Sequence, residues 1–252
     1  MIQYASDLHL EFPANWRWLQ KFPIVPVGKV LLLAGDTHHL KKSMARHTFF
    51  DWAAANFEQV FLIPGNHEFY GGYDAKTAME LDYEFQIRPN VNLVNNTVHF
   101  VGGARVIFTT LWSKVIRHVL PVYRGMNDFR LIRFDNQSLS IDRYNALFDF
   151  SFDFLKTALT TPYEGKTIVV THHLPSAHCN LTKYQNSIIN EGFCTDLTDF
   201  ILDCDADYWI YGHSHGNKKA FKIGETQMLT NQLGYVEMGE QMQFDDRRII
   251  EL

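Results

Sequence analysis

Short continuous apolar runs alternate along the chain with segments whose apolar residues recur at helical spacing. Runs of this kind are typical of strands buried on both faces, and they cover residues 2–6, 30–34, 60–63, 167–171 and 208–211. Helical spacing is seen over residues 43–56, where Ser43 is the expected N-cap, after Asp142, and over residues 195–202. Strands that alternate with helices predict an α/β arrangement, in which ligands bind beyond the carboxyl ends of the strands.

Two regions show hairpin patterns instead. Residues 91–98 and 105–109 are strand-like, with turn residues at Asn95-Asn96 and at Gly102-Gly103. Residues 219–223 and 226–229 flank a second turn at Gly224-Glu225. We therefore predict an α/β fold of four layers, an α/β/β/α sandwich of two mixed β-sheets flanked by helices. Because no linker or repeat divides the chain, we expect a single domain over residues 1–252.

Composition and charge narrow the class of protein. The 252 residues are 46% hydrophobic and 14% aromatic, enough for a substantial core. The net charge is -5 and no block of Lys or Arg stands out, so binding of extended nucleic acid is disfavoured. The three Cys are not spaced as a CxxC metal motif, and no apolar run reaches the roughly 20 residues of a membrane span. We expect a cytoplasmic protein that does not bind membranes.

Polar clusters follow the apolar runs: Asp7-Leu8-His9, Gly35-Asp36, Gly65-Asn66-His67-Glu68, His172-His173 and Gly212-His213-Ser214-His215. Any one of them alone reads equally well as an ordinary polar turn. Together they offer a mixed carboxylate, amide and imidazole ligand set: Asp7, His9, Asp36, Asn66, His172, His213 and His215. Such a set suits two divalent ions about 3.5 to 4 Å apart, which activate water for attack at phosphorus. Imidazole-rich sites favour Mn, Fe or Zn over Ca.

The motifs also resemble those of a known family. In order, they are SDLHLEF, AGD, PGNHE-Y, TLW, VVTHH-PS and GHSH, spread over residues 6–215. They are similar to the motifs of calcineurin-like metallophosphoesterases, particularly small bacterial and phage-type members. The resemblance implies a first metal on Asp7, His9 and His215, a second on Asn66, His172 and His213, and a bridge by Asp36 and by the attacking hydroxide. It implies that His67 assists the leaving group, with Glu68 and the motif glycines as supports.

Some details depart from the family pattern or stay open. Motif alignment selects His172 rather than His173 as the ligand. His39 stands where relatives carry an Asp or Asn that supports the site, so His38 and His39 are candidates for tuning the metals. The sequence Asn231-Gln232-Leu233-Gly234-Tyr235 lacks the Pro that relatives have at its second position.

Substrate recognition falls to the stretches between the motifs. The insert from Trp112 to Phe134 holds the candidate substrate residues Arg124, Asn127, Asp128 and Arg130, and Arg side chains bind phosphate oxygens in a bidentate manner. A solvated loop is the equally acceptable reading of that insert. A second stretch, residues 177–193, is a candidate wall of the cleft. Tyr70, Tyr73, Trp112 and Tyr123 are the aromatic residues to test for base stacking.

The function predicted is metal-dependent hydrolysis of phosphomonoesters or phosphodiesters, with a small phosphorylated substrate as partner. Two alternatives stay open: a binding or scaffold protein with little turnover, and a nuclease on short or single-stranded nucleic acid. The physiological substrate, the preference for monoester or diester, the native metal pair and the oligomeric state are not fixed by these patterns.

Overall fold

The protein, analysed as a computed structural model, is described over residues 1–40 and 44–252. The strands are β1 (Ile2–Ala5), β2 (Val30–Leu33), β3 (Gln59–Leu62), β4 (Tyr83–Arg88), β5 (Val91–Asn95), β6 (Thr97–Val101), β7 (Ala104–Phe108), β8 (Arg133–Phe134), β9 (Gln137–Ser138), β10 (Lys166–Val170), β11 (Tyr208–Ile210), β12 (Phe221–Ile223), β13 (Thr226–Leu229) and β14 (Ile249–Ile250). The α-helices are α1 (Pro13–Lys21), α2 (Thr48–Asn56), α3 (Val119–Gly125), α4 (Asp128–Leu131), α5 (Ile141–Thr160) and α6 (Thr198–Asp203). Short 3-10 helices cover Met44–Arg46, His67–Gly71, Ala75–Met79, Ala177–Cys179, Thr182–Tyr184, Asn190–Gly192, Val236–Met238 and Glu240–Gln243.

Two six-stranded sheets are built on the same plan. The first has the order β14-β1-β2-β3-β5-β4 and the second the order β12-β13-β11-β10-β7-β6. In each sheet the four central strands are parallel, and both edge strands pair antiparallel to their neighbours. The predicted α/β fold of two mixed sheets flanked by helices is confirmed. All carboxyl ends of the central strands in one sheet lie along the same edge, which is where parallel sheets collect ligands.

Both faces of the central strands are buried, and this explains their continuous apolar sequences. In β2, Val30 and Leu32 pack in a cluster that also contains Val106 and Ile168 of the second sheet. Their neighbours Leu31 and Leu33 belong to a different cluster, which includes residues of α2 and α5. Alternate side chains of one strand therefore fill the layer between the sheets and the layer under the helices.

Several predicted element ends differ from the structure. The helix predicted after Asp142 is present as α5, but its predicted N-cap is wrong. The cap is Ser140, whose hydroxyl accepts the Arg143 N–H at 3.3 Å, and α5 begins at Ile141. The expected cap Ser43 lies outside the described residues; α2 begins at Thr48, where His47 accepts the N–H of Phe49. The third predicted helix starts at Thr198 rather than at residue 195.

The strand-like run over residues 91–98 is interrupted at its predicted turn, Asn95-Asn96. It divides into β5 in the first sheet and β6 in the second, and the chain turns between them at Asn96, which has a φ of 49°. The Asn96 amide donates to the carbonyl oxygens of Ala78 and Glu80, so the residue anchors the crossing point. The hairpins at Gly102-Gly103 and at Gly224-Glu225 form as expected.

Apart from the short 3-10 helices, the elements that the sequence patterns did not predict are α1, β4, β8, β9 and β14, and the helices α3 and α4 inside the insert. Among the described residues, no helix is both long enough and apolar enough to cross a bilayer.

Candidate metal centre

The predicted ligands leave the carboxyl ends of parallel strands from both sheets. Asp7 and His9 follow β1, Asp36 follows β2, and Asn66 follows β3. His172 follows β10 in the second sheet, and His213 and His215 follow β11. The two sheet edges thus meet at one place, and the structure brings together side chains that are far apart in the sequence.

The donor atoms fall into two groups that share one residue. Those of Asp7, His9, Asp36 and His215 all lie within 4.8 Å of one another, and so do those of Asp36, His172 and His213. Oδ2 of Asp36 is 3.7 Å from Nε2 of His9 and 3.4 Å from Nε2 of His172. Asn66 joins the second group, because its Oδ1 lies 3.2 Å from Nε2 of His172. A single carboxylate oxygen therefore faces both groups.

The hydrogen bonds of the imidazole rings fit a bound cation. Nδ1 of His9 donates to Glu11, Nδ1 of His215 to Glu240, and Nδ1 of His172 to the carbonyl oxygen of Ala34, each at 2.9 Å. Neutral rings that donate through Nδ1 present a bare lone pair at Nε2. Those of His9 and His215 face each other at 2.9 Å. Facing lone pairs repel unless a cation lies with them, and this donor chemistry suits a divalent ion of the first transition series.

Charges inside the site shift several pKa values. Burial opposes protonation of His172, but the charge of Asp36 and its hydrogen bond raise the pKa of His172 to about 10. Burial and the neighbouring His173 and His172 hold the pKa of His213 well below its usual range. Protons and a divalent ion compete for the same lone pairs, so ion binding releases protons and tightens as the pH rises.

The backbone of the ligand loops is strained. Positive φ angles occur at Asp7 (54°), His9 (47°), Asp36 (51°), His213 (74°) and His215 (48°). This left-handed region is uncommon for residues other than Gly and costs about 1–3 kcal/mol for each residue held there. Five of the ten non-glycine residues with positive φ in the described part of the chain are thus predicted ligands.

Two glycines make room for the donors. Gly35 has a φ of 87°, and a Cβ there would lie 2.6 Å from Cγ of His172. A Cβ on Gly65 would overlap Oδ1 of Asp36 and lie 2.7 Å from Nε2 of His172. Larger residues at either position would displace side chains of the second donor group.

Glu68 holds the ligand loops after β2 and β3 together. Its fully buried carboxylate accepts N–H groups at 2.7 to 3.2 Å from Asp36, Thr37, His38 and Gly65, two on each oxygen. Burial and the charge of Asp36 raise the pKa of Glu68 to about 8. A proton on either oxygen would nevertheless point at N–H donors, so we assign the ionised form.

His67 lies beside the donor groups with both ring nitrogens engaged. Nδ1 is 3.0 Å from Oε1 of Glu11, Nε2 is 3.1 Å from the hydroxyl of Tyr235, and the backbone N–H donates to Asp36 at 2.9 Å. Burial opposes protonation, but the charge of Asp36 and the contact with Glu11 raise the pKa of His67 to about 9. A protonated His67 is therefore available at neutral pH in the metal-free protein.

A cavity of about 360 Å³ opens directly over these groups. Its inner end is formed by Asp36, Asn66, His67, His213 and His215, and its outer wall includes Asn127, Asn180, Tyr184, Asn190 and Phe193. Tyr70 and Tyr235 also line it. The volume is that of a pocket for a small molecule.

Comparisons with known proteins show the family and the fold of this chain. A sequence profile of the family described as Calcineurin-like phosphoesterase matches residues 4–217. The chain belongs to this family. It is 30% identical over 261 residues to the uncharacterized protein L509 of Acanthamoeba polyphaga mimivirus, covering 93% of this chain and 91% of that relative. Its fold is similar to the crystal structure of phosphopantetheinyl hydrolase (PptH) from Mycobacterium tuberculosis, with a TM-score of 0.71, 16% identity, and coverage of 96% and 92% of the two chains.

Family membership makes the protein a calcineurin-like phosphoesterase with a metal-binding cluster of His and Asp. The donor groups contain His172, whereas the ring of His173 packs 4.2 Å from that of His213 and its Nε2 contacts Tyr144. Neither His38 nor His39 belongs to a donor group among the described residues; Nε2 of His39 lies 3.8 Å from Glu11.

Of the four candidate substrate residues of this phosphoesterase, two line the cavity and two do not. Asn127 and Asp128 line the cavity, and Arg124 and Arg130 do not. The Arg130 guanidinium donates instead to Oδ1 of Asn127 and to the carbonyl oxygen of Arg124. Among the aromatic candidates, Tyr70 lines the cavity, and Tyr73, Trp112 and Tyr123 lie elsewhere.

Sequence reasoning missed three residues that contact the predicted ligands or His67: Glu11, Tyr235 and Glu240. Glu11 belongs to the quoted SDLHLEF motif, and its spacing of two from His9 was an available signal. Tyr235 closes the Asn-Gln-Leu-Gly-Tyr segment. Glu240 lies in an irregular stretch with no motif, so only the fold reveals its contact with His215.

Proposed function

We propose that this phosphoesterase hydrolyses mono- or diesters of phosphoric acid in a site that holds two divalent ions. The observation that carries the proposal is the position of Asp36, whose Oδ2 faces a donor group on either side. Asp7, His9 and His215 would hold one ion, Asn66, His172 and His213 the other, and Asp36 both. Bound ions of this kind supply an activated water and neutralise charge on the phosphoryl group.

His67 is the proposed proton donor to the leaving group. Its Nδ1 is held by Glu11, and its Nε2 points to Tyr235 at the cavity wall. In the reaction, water adds to phosphorus and releases one proton, the ester P–O bond breaks, and the proton on Nε2 of His67 passes to the departing oxygen. The proton released by the water balances the one given up by His67, which is reprotonated from solvent before the next turnover. Asn66 is kept in place by Asp128, which accepts its amide N–H at 3.0 Å.

The cavity favours substrates with one phosphate and an uncharged organic group. No Lys or Arg lines it among the residues that the structure describes, and its outer wall offers the amides of Asn127, Asn180 and Asn190. A second phosphate would meet these amides and the carboxylates of Asp128 and Glu240. We propose that Asn127 contacts substrate, that Asp128 acts through Asn66, and that Arg130 supports Asn127. Arg124 contributes only its backbone carbonyl.

The alternatives receive less support. A scaffold protein with little turnover has no need of an intact donor set, and the proximity of the donor atoms of the seven predicted ligands supports the enzyme instead. A nuclease would be expected to line its cleft with cationic side chains for the phosphate backbone.

The free thiols of Cys179, Cys194 and Cys204 are compatible with the proposed cytoplasmic location.

The test combines metal content with turnover. The metal-free protein is loaded with Mn²⁺, Zn²⁺ or Fe²⁺, ions are counted by mass spectrometry, and hydrolysis of p-nitrophenyl phosphate and bis(p-nitrophenyl) phosphate is followed with and without EDTA. We expect two ions per chain and hydrolysis that EDTA abolishes. Asp36→Asn is expected to lose both metal and turnover. His67→Ala is expected to keep the metal and to lose about 10²–10⁴-fold in kcat on phenyl phosphate, with a smaller loss on p-nitrophenyl phosphate, whose leaving group needs less protonation.

His178→Ala is the matched control, because His178 is exposed and its recorded contact with Lys218 uses the backbone carbonyl. Lack of hydrolysis with every ion and both substrates would refute the function. Equal metal loss in Asp36→Asn and His67→Ala would refute the separate roles. Substrate charge is tested by comparing glycerol phosphate with a nucleoside triphosphate, and better turnover of the latter would contradict the proposed substrate class.

A further inference from the structure

Glu11 is a buried carboxylate that binds two histidines of the site through one oxygen. Its side chain is 5% exposed, and Oε1 lies 2.9 Å from Nδ1 of His9 and 3.0 Å from Nδ1 of His67. His9 is a predicted ligand, and His67 is the proposed donor to the leaving group. One oxygen atom therefore contacts both a predicted metal ligand and the proposed proton donor.

The contact determines which nitrogen of each ring faces the reaction. A carboxylate only accepts hydrogen bonds, so both rings must carry a proton on Nδ1. This leaves Nε2 of His9 directed at Asp36, 3.7 Å away, and Nε2 of His67 directed at the cavity beside Tyr235. Without the acceptor, either ring is free to adopt the other tautomer or to rotate.

A third metal ion on His9, Glu11 and His67 is the competing interpretation, since these donor atoms also lie within 4.8 Å of one another. The geometry argues against it. Both Nδ1 to oxygen separations are ordinary hydrogen-bond lengths. A neutral His9 has a single lone pair, and the first donor group already uses it at Nε2. Binding an ion through both nitrogens would require loss of the ring N–H proton.

Glu240 provides an internal comparison. Its Oε2 accepts Nδ1 of His215 at 2.9 Å and the backbone N–H of Tyr235 at 2.7 Å. Glu240 thus orients a predicted ligand in the way that Glu11 orients His9. The contact with His67 distinguishes Glu11 from it.

We propose that Glu11 is a positioning residue that links the first metal-binding group to leaving-group protonation, by holding His9 and His67 on the same oxygen. This inference rests on the proposed function. The positioning role of Glu11 can be tested separately from the proposed function, because the ring tautomers exist whether or not the chain turns over a given ester.

The kinetic test uses leaving groups of different acidity. Good leaving groups such as p-nitrophenol need little protonation, whereas phenol and alkyl alcohols need it most. At saturating Mn²⁺, Glu11→Gln is expected to lower kcat about 10–100-fold for phenyl phosphate, and distinctly less for p-nitrophenyl phosphate. In a His67→Ala background, Glu11→Gln should leave the dependence on leaving group unchanged, because the residue through which it acts is absent.

Glu240→Gln is the matched control. It is expected to weaken metal retention while the dependence on leaving group stays as in the wild type. Glu11→Asp is the second variant, since it keeps the charge but withdraws the oxygen by one methylene from both rings. A folded Glu11→Asp that reproduces the kinetic change of Glu11→Gln supports positioning rather than charge alone.

The readout without turnover is the tautomer of each ring in the metal-free protein, seen by long-range proton–nitrogen NMR. We expect the Nδ1–H form of His9, and of His67 at a pH high enough for its ring to be neutral, in the wild type, and mixed tautomers for both in Glu11→Gln. Unchanged tautomers, or a Glu11→Gln enzyme with the wild-type dependence on leaving group, would overturn the inference and leave the function standing. Wild type that is inactive on every ester would refute the function, and the NMR result would then decide the placement of the rings by itself.

Discussion

Replacing Glu68 by Gln removes the acceptor that four backbone N–H groups share. Oε1 accepts from Thr37 and His38, and Oε2 from Asp36 and Gly65. An amide has one accepting oxygen and one donating nitrogen, so either orientation of the introduced amide places an NH₂ group against two N–H donors. The side chain keeps its size, and the change is therefore one of hydrogen bonding alone.

The magnitude follows from those two donors. Each buried donor without a partner costs about 1–3 kcal/mol, which gives about 2–6 kcal/mol for the substitution. The free energy of unfolding of a domain is about 5–15 kcal/mol, so the expected loss is a large part of the total stability. The loops after β2 and β3 would separate, and with them Asp36 and Asn66.

Urea unfolding followed by circular dichroism measures the loss, and mass spectrometry measures bound metal. Glu58→Gln is the matched control: Glu58 is exposed and pairs with exposed Lys29 at 2.8 Å, so the expected change is within about 0.5 kcal/mol. If Glu68→Gln unfolded within that same margin of the wild type and kept its metal, the assignment of an ionised, four-fold accepting carboxylate would be wrong.

Three further changes have defined outcomes. Gly65→Ala introduces a methyl group 2.7 Å from Nε2 of His172, so metal content should fall even where the protein stays folded, and retention of full metal content would contradict the geometry. Removing both proposed ions with EDTA should lower the thermal midpoint by roughly 10–20 °C, since each ion at about 100-fold its Kd contributes about 2.7 kcal/mol; an unchanged midpoint would count against a native-state ion site. Glu191 accepts the N–H groups of residues 116–118, and although burial opposes the shift, these hydrogen bonds lower its pKa. The folded-state pKa is depressed, so the stabilisation is present above the ordinary value of 4.5 and is lost as the pH falls through the lower folded value. Glu191→Gln should accordingly speed amide exchange over residues 116–118 at neutral pH, and unchanged exchange would refute the anchor.

The sequence predicted the central strands, and the loops whose polar side chains meet, for a physical reason. Strands such as β2 are covered on both faces, so every position is apolar, and the chain becomes polar only where the strand leaves the sheet. Asp36 marks that point after β2, and Asn66 marks it after β3. A strand that is buried on both faces can therefore be recognised from its own short stretch of sequence.

Features that depend on tertiary contacts could not be predicted from local sequence patterns. The turn residues Asn95-Asn96 indicate a break in the run over residues 91–98, but no local pattern shows that the chain passes there from one sheet to the other. The contact of Glu240 with His215 spans an irregular segment whose path is set by packing. The insert looked cationic in sequence, yet Arg124 and Arg130 are absent from the cavity wall.

The left-handed backbone at Asp7, His9, Asp36, His213 and His215 bears on how this chain would respond to artificial evolution. Gly adopts that backbone at no steric cost, so replacing one of these proposed ligands by Gly is expected to recover part of the strain energy while it removes a donor from the proposed site. A screen for heat resistance on metal-free protein would then enrich inactive chains. Libraries built on this scaffold should be selected with the ion present, so that the binding energy outweighs the relief of strain.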